Sequence, residues 1–300
     1  MSAWPSLPLA EWADTYATLH RWSQVVGKVR LACATPINHW WHVTLYVTSR
    51  GLTTSPIPHG DRSFQIDFDF VDHRLTITTS DGDARALALG PMTVADFYRA
   101  VMAALEELDL PVRIWPMPVE IPDPIVRFTE DREHASYDPD AVNRFWRILI
   151  QADRVLTGFR GRFLGKASPS HFFWGGFDLA ATRFSGRAAP PHPGGIPNVG
   201  DFVAVEGYSH ELSSAGFWPG GGGIDDAAFY AYAYPEPPGF REARVEPAEA
   251  YYHDAMRLFL LPYEAMRRAG DPDRALLGFL QSTYEAAADK AGWDRAALER

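Results

Sequence analysis

Residues 63–71, SFQIDFDFV, constrain the fold more than any other stretch of this chain. Phe64, Ile66, Phe68 and Phe70 alternate with Gln65, Asp67 and Asp69, so a strand here buries one face and leaves the other wet. The following RLTITTS and RALAL flank a DGD turn, which reads as a hairpin. The links are too short for the crossovers that parallel strands require, so the sheets are expected to be mainly antiparallel.

Helices are punctuated as clearly. Trp12, Tyr16, Leu19, Trp22 and Val26 predict a helix over residues 10–26. Thr93 caps a second one through Leu108, with Asp96 at the capping-box position and Val94, Phe97, Val101 and Leu105 on one face. Asp138 followed by Pro139 opens a third, carrying Phe145, Trp146, Leu149, Ala152, Val155 and Leu156. Asp271-Pro272 opens the last, which closes before Gly292. A bent strand region is expected from His39 to Ile57, with further strands at YSHELSS, AFYAYAY and RLFLLPYEAM. Five prolines in PVRIWPMPVEIPDP rule out a regular helix and predict an extended connector.

The order helix, strands, helix is stated twice. CATPINHWW answers KASPSHFF, LTTSPIPHG answers LSSAGFWPG, and SFQIDFDF answers AFYAYAYP. The expected class is α+β, built by internal duplication of a helix, about four antiparallel strands and a helix. Residues 1–116 form the first α-β-α repeat, 117–138 the proline-rich connector, and 139–300 the second repeat with a loop insertion at 187–206. The two are expected to pack together, because one repeat alone would expose an apolar sheet face.

These blocks also carry a resemblance. NHWWHVTLYVTSRGLTTSPIPHG, HASYDPDAVNRFWR, HFFWGGFDLAATRFSGR, GFWPGGG and FLQSTYEAAADKAGWDRAALE resemble an uncharacterised bacterial family, a domain of unknown function, over nearly the whole chain. The resemblance implies a stand-alone, soluble bacterial protein of about this length. It brings no activity, cofactor or catalytic residue.

Composition narrows the function classes. A formal charge of -10 with no Lys/Arg cluster argues against nucleic-acid binding. Cys33 is the one cysteine, so neither an intrachain disulfide nor a thiolate zinc cluster forms. No apolar run approaches the roughly 20 residues of a membrane helix, and no signal-peptide pattern opens the chain. A cytoplasmic location without membrane partners is expected. No cofactor or oligomeric state follows from the residues.

Histidines are the main candidates for chemistry. His171, His134 and His210 are the candidate acid/base residues. His39, Trp174, Trp218, Tyr137 and Arg183 are candidate ligand-binding residues, placed by the duplication in a groove between the halves. His39, His171, His210 and Glu211 are the residues from which a divalent metal site would be built. No ligand spacing assigns one, since HELSS lacks the second histidine of H-E-x-x-H. Each histidine also has a plain reading, as a strand start bonded to local backbone. Arg183 equally reads as one half of an internal ion pair with Asp67, Asp69 or Asp178, as Arg50 does in the first half. GFWPGGGG lacks the P-loop ending and reads as a turn passing close to a ring. The functional reading is a small-molecule site between the halves, with histidine as acid/base if it catalyses. The alternative is a non-catalytic protein that offers an aromatic sheet face to another protein. SHFFWGGFDL departs from NHWWHVTLYV at Trp174 and the paired glycines beside His171, which singles out that place.

Overall fold

Helix α1 spans Ala13–Cys33 and is buried on nearly all sides, including its polar residues His20, Gln24, Lys28 and Arg30. Buried polar groups need partners, and the partners of these four position the rest of the molecule. In the computed structural model residues 3–122 and 124–300 are described; Met1, Ser2 and Asp123, the last within the proline-rich connector, lie outside them. α1 runs about two turns beyond the expected end, to Cys33, because Lys28 and Arg30 face inward, which apolar spacing alone does not register.

The first sheet holds β1 (Tyr46–Val47), β2 (Gly51–Thr53), β3 (Ile57–His59), β4 (Arg62–Asp69), β5 (Arg74–Thr79) and β6 (Ala84–Ala88). Its order is β1-β2-β4-β5-β6, with β3 on β4, all antiparallel. β4 is the strand of the SFQIDFDFV alternation, and Phe64, Ile66 and Phe68 are buried. α2 (Val94–Glu107) follows, its Thr93 hydroxyl accepting the Asp96 N–H at 3.0 Å. An irregular stretch then runs to α3 (Pro139–Arg160), where the Asp138 carboxylate accepts the N–H groups of Asp140 and Ala141.

The second sheet contains β7 (His171–Phe173), β8 (Asp178–Ala188), β9 (His210–Trp218), β10 (Ala228–Tyr234), β11 (Tyr251–His253) and β12 (Leu258–Pro262). It is antiparallel in the order β11-β12-β10-β9-β8-β7. α4 (Asp201–Gly207) lies between β8 and β9, and α5 (Tyr263–Arg267), α6 (Pro272–Lys290) and α7 (Arg295–Leu298) close the chain. Asp271 caps α6 through the Arg274 N–H. α3 and α6 cover one face of this sheet. The sheets meet where Leu45 and Phe172 exchange two backbone hydrogen bonds of 2.9 Å. One hydrophobic core runs through both halves, with Trp12 on Phe145 at 5.2 Å and Trp22 stacked on Phe97 at 4.5 Å.

Three local expectations are corrected. Residues 39–45 are not strand: Asn38–Trp40 form a 3-10 turn, and His39 and Trp40 take φ of 59° and 61°. Arg30 reaches from α1 to the carbonyls of His42 and Thr44, so those groups face a guanidinium rather than a ladder. The 187–206 insertion is not all loop, since β8 continues to Ala188 and α4 starts at Asp201. The RLFLLPYEAM strand stops at Pro262, and α5 begins at once. The glycine-rich turn behaves as expected: Gly220 to Gly223 all have positive φ, and a Cβ on Gly222 would sit 3.0 Å from the Trp218 ring. No helix among the described residues is long and apolar enough to cross a membrane.

Candidate functional site

Strand alternation splits the second sheet into two faces. Leu179, Ala181 and Arg183 of β8 turn toward α3 and α6, whereas Asp178, Ala180, Thr182 and Phe184 turn the other way and floor a cavity of about 590 Å³. Leu212 and Ser214 of β9 and Tyr230 and Tyr232 of β10 extend the floor. Trp40, Trp41 and Val43 form one wall, and Trp115, Val119 and Glu120 of the connector form another with Trp174. The segment into α4, with Val199, Phe202 and Tyr208, roofs it. The volume falls within the range of small-molecule pockets, and most of the lining is ring and hydrocarbon.

Two carboxyl groups converge in it. A Cβ placed on Gly176 would lie 2.8 Å from Asp178 Oδ1 and 3.5 Å from Glu120 Oε2, so both acids reach one point above the Gly175-Gly176 pair. Glu120 borders the open volume, but dense protein surrounds that volume. Burial and then the charge of Asp178 push its carboxyl up to about 7. Burial pushes Asp178 up to about 6, against the Tyr230 hydroxyl that donates to it. Tyr230 reaches Asp178 by lying across Gly216, where a Cβ would come within 2.7 Å of its hydroxyl and 2.2 Å of the Leu179 carbonyl. The other polar floor groups satisfy each other: Tyr208 with Tyr232 at 3.0 Å and Thr182 with Ser214 at 2.9 Å.

α1 holds the acids together. Gln24 accepts the Val119 N–H at 2.9 Å and donates to the Val119 carbonyl at 2.8 Å, and His20 Nε2–H donates to the Gly175 carbonyl at 2.7 Å. The Glu120 N–H donates to the Pro197 carbonyl at 2.8 Å, tying the connector to the roof. Gly27 lets α1 approach the site wall, because a Cβ there would meet the Trp174 indole at 2.3 Å. That indole N–H donates to the Val43 carbonyl at 2.6 Å. The Lys28 ammonium lies 5.0 Å and 5.7 Å from the Trp115 and Trp174 ring centroids, and burial lowers its pKa to about 8. Four lining residues, His39, Trp40, Glu120 and Asn198, have φ between 56° and 61°. Left-handed backbone at non-glycine positions is costly and gathers at functional sites.

Of the residues expected from sequence, His39 and Trp174 line this cavity. Both His39 nitrogens are engaged, Nδ1–H donating to the Gly207 carbonyl at 2.9 Å and Nε2 accepting from Lys166 Nζ at 2.9 Å, so it has no free position for proton transfer. The other expected residues lie outside the lining. His171 is sealed behind the wall among the rings of Trp41, Tyr46 and Phe173, and burial lowers it to about 3. His210 bonds to Ser209 Oγ at 3.1 Å outside the lining, its ring 5.8 Å from that of His39. His134 is held by the Asp131 carboxylate at 2.8 Å. Tyr137 pairs with His73 at 2.9 Å and stacks on Trp22. Trp218 packs on the glycine turn, and Glu211 is bound by Arg187 at 2.6 Å. Arg183 belongs to the opposite sheet face, its guanidinium 3.4 Å from the Phe159 ring centroid, and it pairs with none of Asp67, Asp69 and Asp178. Its first-half counterpart does form the expected internal pair, Arg50 with Asp69 at 2.8 Å. Among the described residues no three His, Cys, Asp or Glu side chains converge to hold a metal ion, so the His39, His171, His210 and Glu211 set is not assembled.

The residues that sequence reasoning passed over are Glu120, Asp178, Lys28, Trp115, Tyr230 and Tyr232. The tyrosines had a visible signal: AFYAYAY places Tyr230 and Tyr232 on one strand face and Phe229 and Ala231 on the other. Glu120 had a fainter one, as the lone carboxylate between Val119 and Ile121 in a proline-rich string.

The raised acids make stability depend on pH. A carboxyl that holds its proton more tightly when folded contributes fully below its unfolded value and loses that contribution as pH rises through the folded one. For Glu120 the window runs from its ordinary 4.5 to about 7, and for Asp178 from 3.8 to about 6. His20, lowered to about 4 by burial, acts oppositely, losing stability as pH falls from 6.5. Subtracting the melting curve of Glu120→Gln from that of the native chain isolates Glu120. The expected difference is native stability that falls, relative to the variant, as pH rises from 4.5 to about 7. Parallel curves would contradict the assignment.

No curated protein and no solved structure matches the chain. A family model described as "Family of unknown function (DUF5996)" matches residues 4–300. Nearly the whole fold just described, cavity and carboxyl pair included, falls inside that match, and the chain belongs to this family.

Proposed function

We propose that the chain is a small-molecule-binding protein whose ligand occupies the cavity between α1, the connector and the second sheet. The observation that carries this reading is the convergence of Glu120 and Asp178 into a volume of about 590 Å³ walled mainly by aromatic rings. Two acids set side by side at an apolar-walled cavity, without a basic partner among the described residues, are the kind of pair found at functional sites. The competing reading, an aromatic sheet face offered to another protein, has less support, because α4 and the segment before it roof that face. We also read the two sheets as copies of one unit, on the strength of their matched sequence blocks.

An uncharged fluorophore, N-phenyl-1-naphthylamine, tests the reading. Its emission is expected to shift to the blue and saturate at one molecule per chain. Ala180→Trp, which fills the floor, is expected to weaken this binding by tenfold or more while circular dichroism stays native. Equal binding by both proteins would sink the proposal.

A catalytic version follows from the same pair, since a group titrating near neutrality is suited to proton transfer. Glu120 as acid and Asp178 as base take the part that sequence reasoning gave to histidine. Conversion of a bound ligand that continues undiminished in Glu120→Gln would exclude it.

A further inference from the structure

We infer that the ligand of this cavity is an organic cation, an ammonium group carried on an apolar body, seated with its charge at the Glu120–Asp178 pair and its hydrocarbon against the rings. This deepens the small-molecule reading and rests on it.

The hydrogen-bonding inventory of the cavity decides the class. Tyr208 is tied to Tyr232, Thr182 to Ser214, and the Tyr230 hydroxyl to Asp178. Two acceptors stay uncommitted beside the floor, the Glu120 carboxyl and Asp178 Oδ1. Neither acid forms an ion pair with a described basic side chain. A sugar or other polyol needs donors beside acceptors, and the hydroxyls around the acid pair are already tied to other groups. An anion would meet two carboxyls. A cation meets both uncommitted acceptors and also the π-faces around them.

The walls already hold one ammonium. Lys28 Nζ rests 5.0 Å from the Trp115 ring centroid and 5.7 Å from that of Trp174, with no carboxylate among its contacts. The same kind of π-face, offered by the other rings of the lining, would attract a cation drawn to the acids. The geometry is also fixed in advance. Glu120 sits in left-handed backbone with φ of 58°, and its neighbour Val119 is clamped on both backbone groups by Gln24. Gly175 leaves the space its carboxyl occupies, since a Cβ there would lie 2.0 Å from Oε1. A site organised before the ligand arrives loses less on binding.

Competition against bound N-phenyl-1-naphthylamine tests the inference with three probes of one shape class: phenyltrimethylammonium, its uncharged isostere tert-butylbenzene, and benzoate. The cation is expected to displace the fluorophore at about tenfold lower concentration than the isostere, and benzoate to displace it least. Glu120→Gln is expected to erase most of that tenfold preference and leave the isostere unchanged. Asp178→Asn repeats the measurement from the other carboxyl, and Glu120, which has no side-chain partner to lose, keeps the test valid if the Asp178 variant misfolds. An isostere as effective as the cation, a preference for benzoate, or a cation preference that survives in Glu120→Gln overturns the inference and leaves the small-molecule reading standing. Failure of the fluorophore itself to bind removes both.

Discussion

Alanine at position 24 is expected to lower the unfolding free energy by about 2–4 kcal/mol and to abolish binding in the cavity. Gln24 is fully buried in the middle of α1, and its amide makes a reciprocal pair with the Val119 backbone, accepting the N–H and donating to the carbonyl. It also approaches the Gly175 carbonyl at 3.4 Å. Truncation leaves a buried N–H and a buried carbonyl without partners, and each such group costs roughly 1–3 kcal/mol. The functional loss follows from position. Val119 precedes Glu120, and Gly175 lies directly beneath the Glu120 carboxyl, so the same side chain registers both sides of the acid pair. Urea denaturation gives the stability change, and hydrogen exchange at the Val119 amide reports the local release. A loss below 1 kcal/mol with protected exchange would mean that the connector is held by other contacts.

Arg183→Ala is expected to cost about 3–5 kcal/mol without touching the cavity directly. Arg183 is 2% exposed; its guanidinium lies 3.4 Å and 4.3 Å from the ring centroids of Phe159 and Tyr284 and donates from Nη2 to the Phe159 carbonyl. Burial lowers its pKa to about 10. Lysine is expected to rescue little, because a compact ammonium cannot stack in a slot shaped for a planar fork. Methionine is expected to rescue more, since it fills the slot without burying a charge. Denaturant midpoints of the three variants order them as methionine, lysine, alanine from most to least stable. Alanine within 1 kcal/mol of the native protein would contradict the packing argument.

Arg183 and Asp178 show how much was legible in advance. Period-two alternation was readable along β8, and it sets even-numbered residues against odd-numbered ones. What the alternation does not say is which face is roofed by helices and which by a loop. Arg183 therefore read as either a ligand-binding residue or the partner of Asp67, Asp69 or Asp178. Caps were read without tertiary help, because Thr93, Asp138 and Asp271 act on amides two or three residues away. The hairpin around residues 81–83 was legible for the same reason. The reach of α1 to Cys33, the turn at His39 and the place of Glu120 were not. Each depends on a side chain meeting backbone far along the chain: Arg30 at Thr44, Gln24 at Val119, His20 at Gly175. The glycine pair that set SHFFWGGFDL apart from NHWWHVTLYV lies at the cavity beside the acid pair. Its meaning was space for a carboxyl from the connector, rather than service to His171.

The pairing of Leu45 with Phe172 has a consequence for solubility. Each sheet has an inner border strand, β1 or β7, whose unpaired amides would otherwise be a template for a foreign strand. Where the two borders meet, each occupies its counterpart's backbone groups, so the molecule shields part of those edges with its own chain. Loosening of that seam would uncover β1 and β7 together, which makes it the place where partial opening would turn into self-association. Of the remaining borders, β6 and β11 lie at the far ends and β3 beside β4; β6 carries Arg85, paired with Glu107 of α2 at 2.8 Å, and a charged edge discourages strand addition.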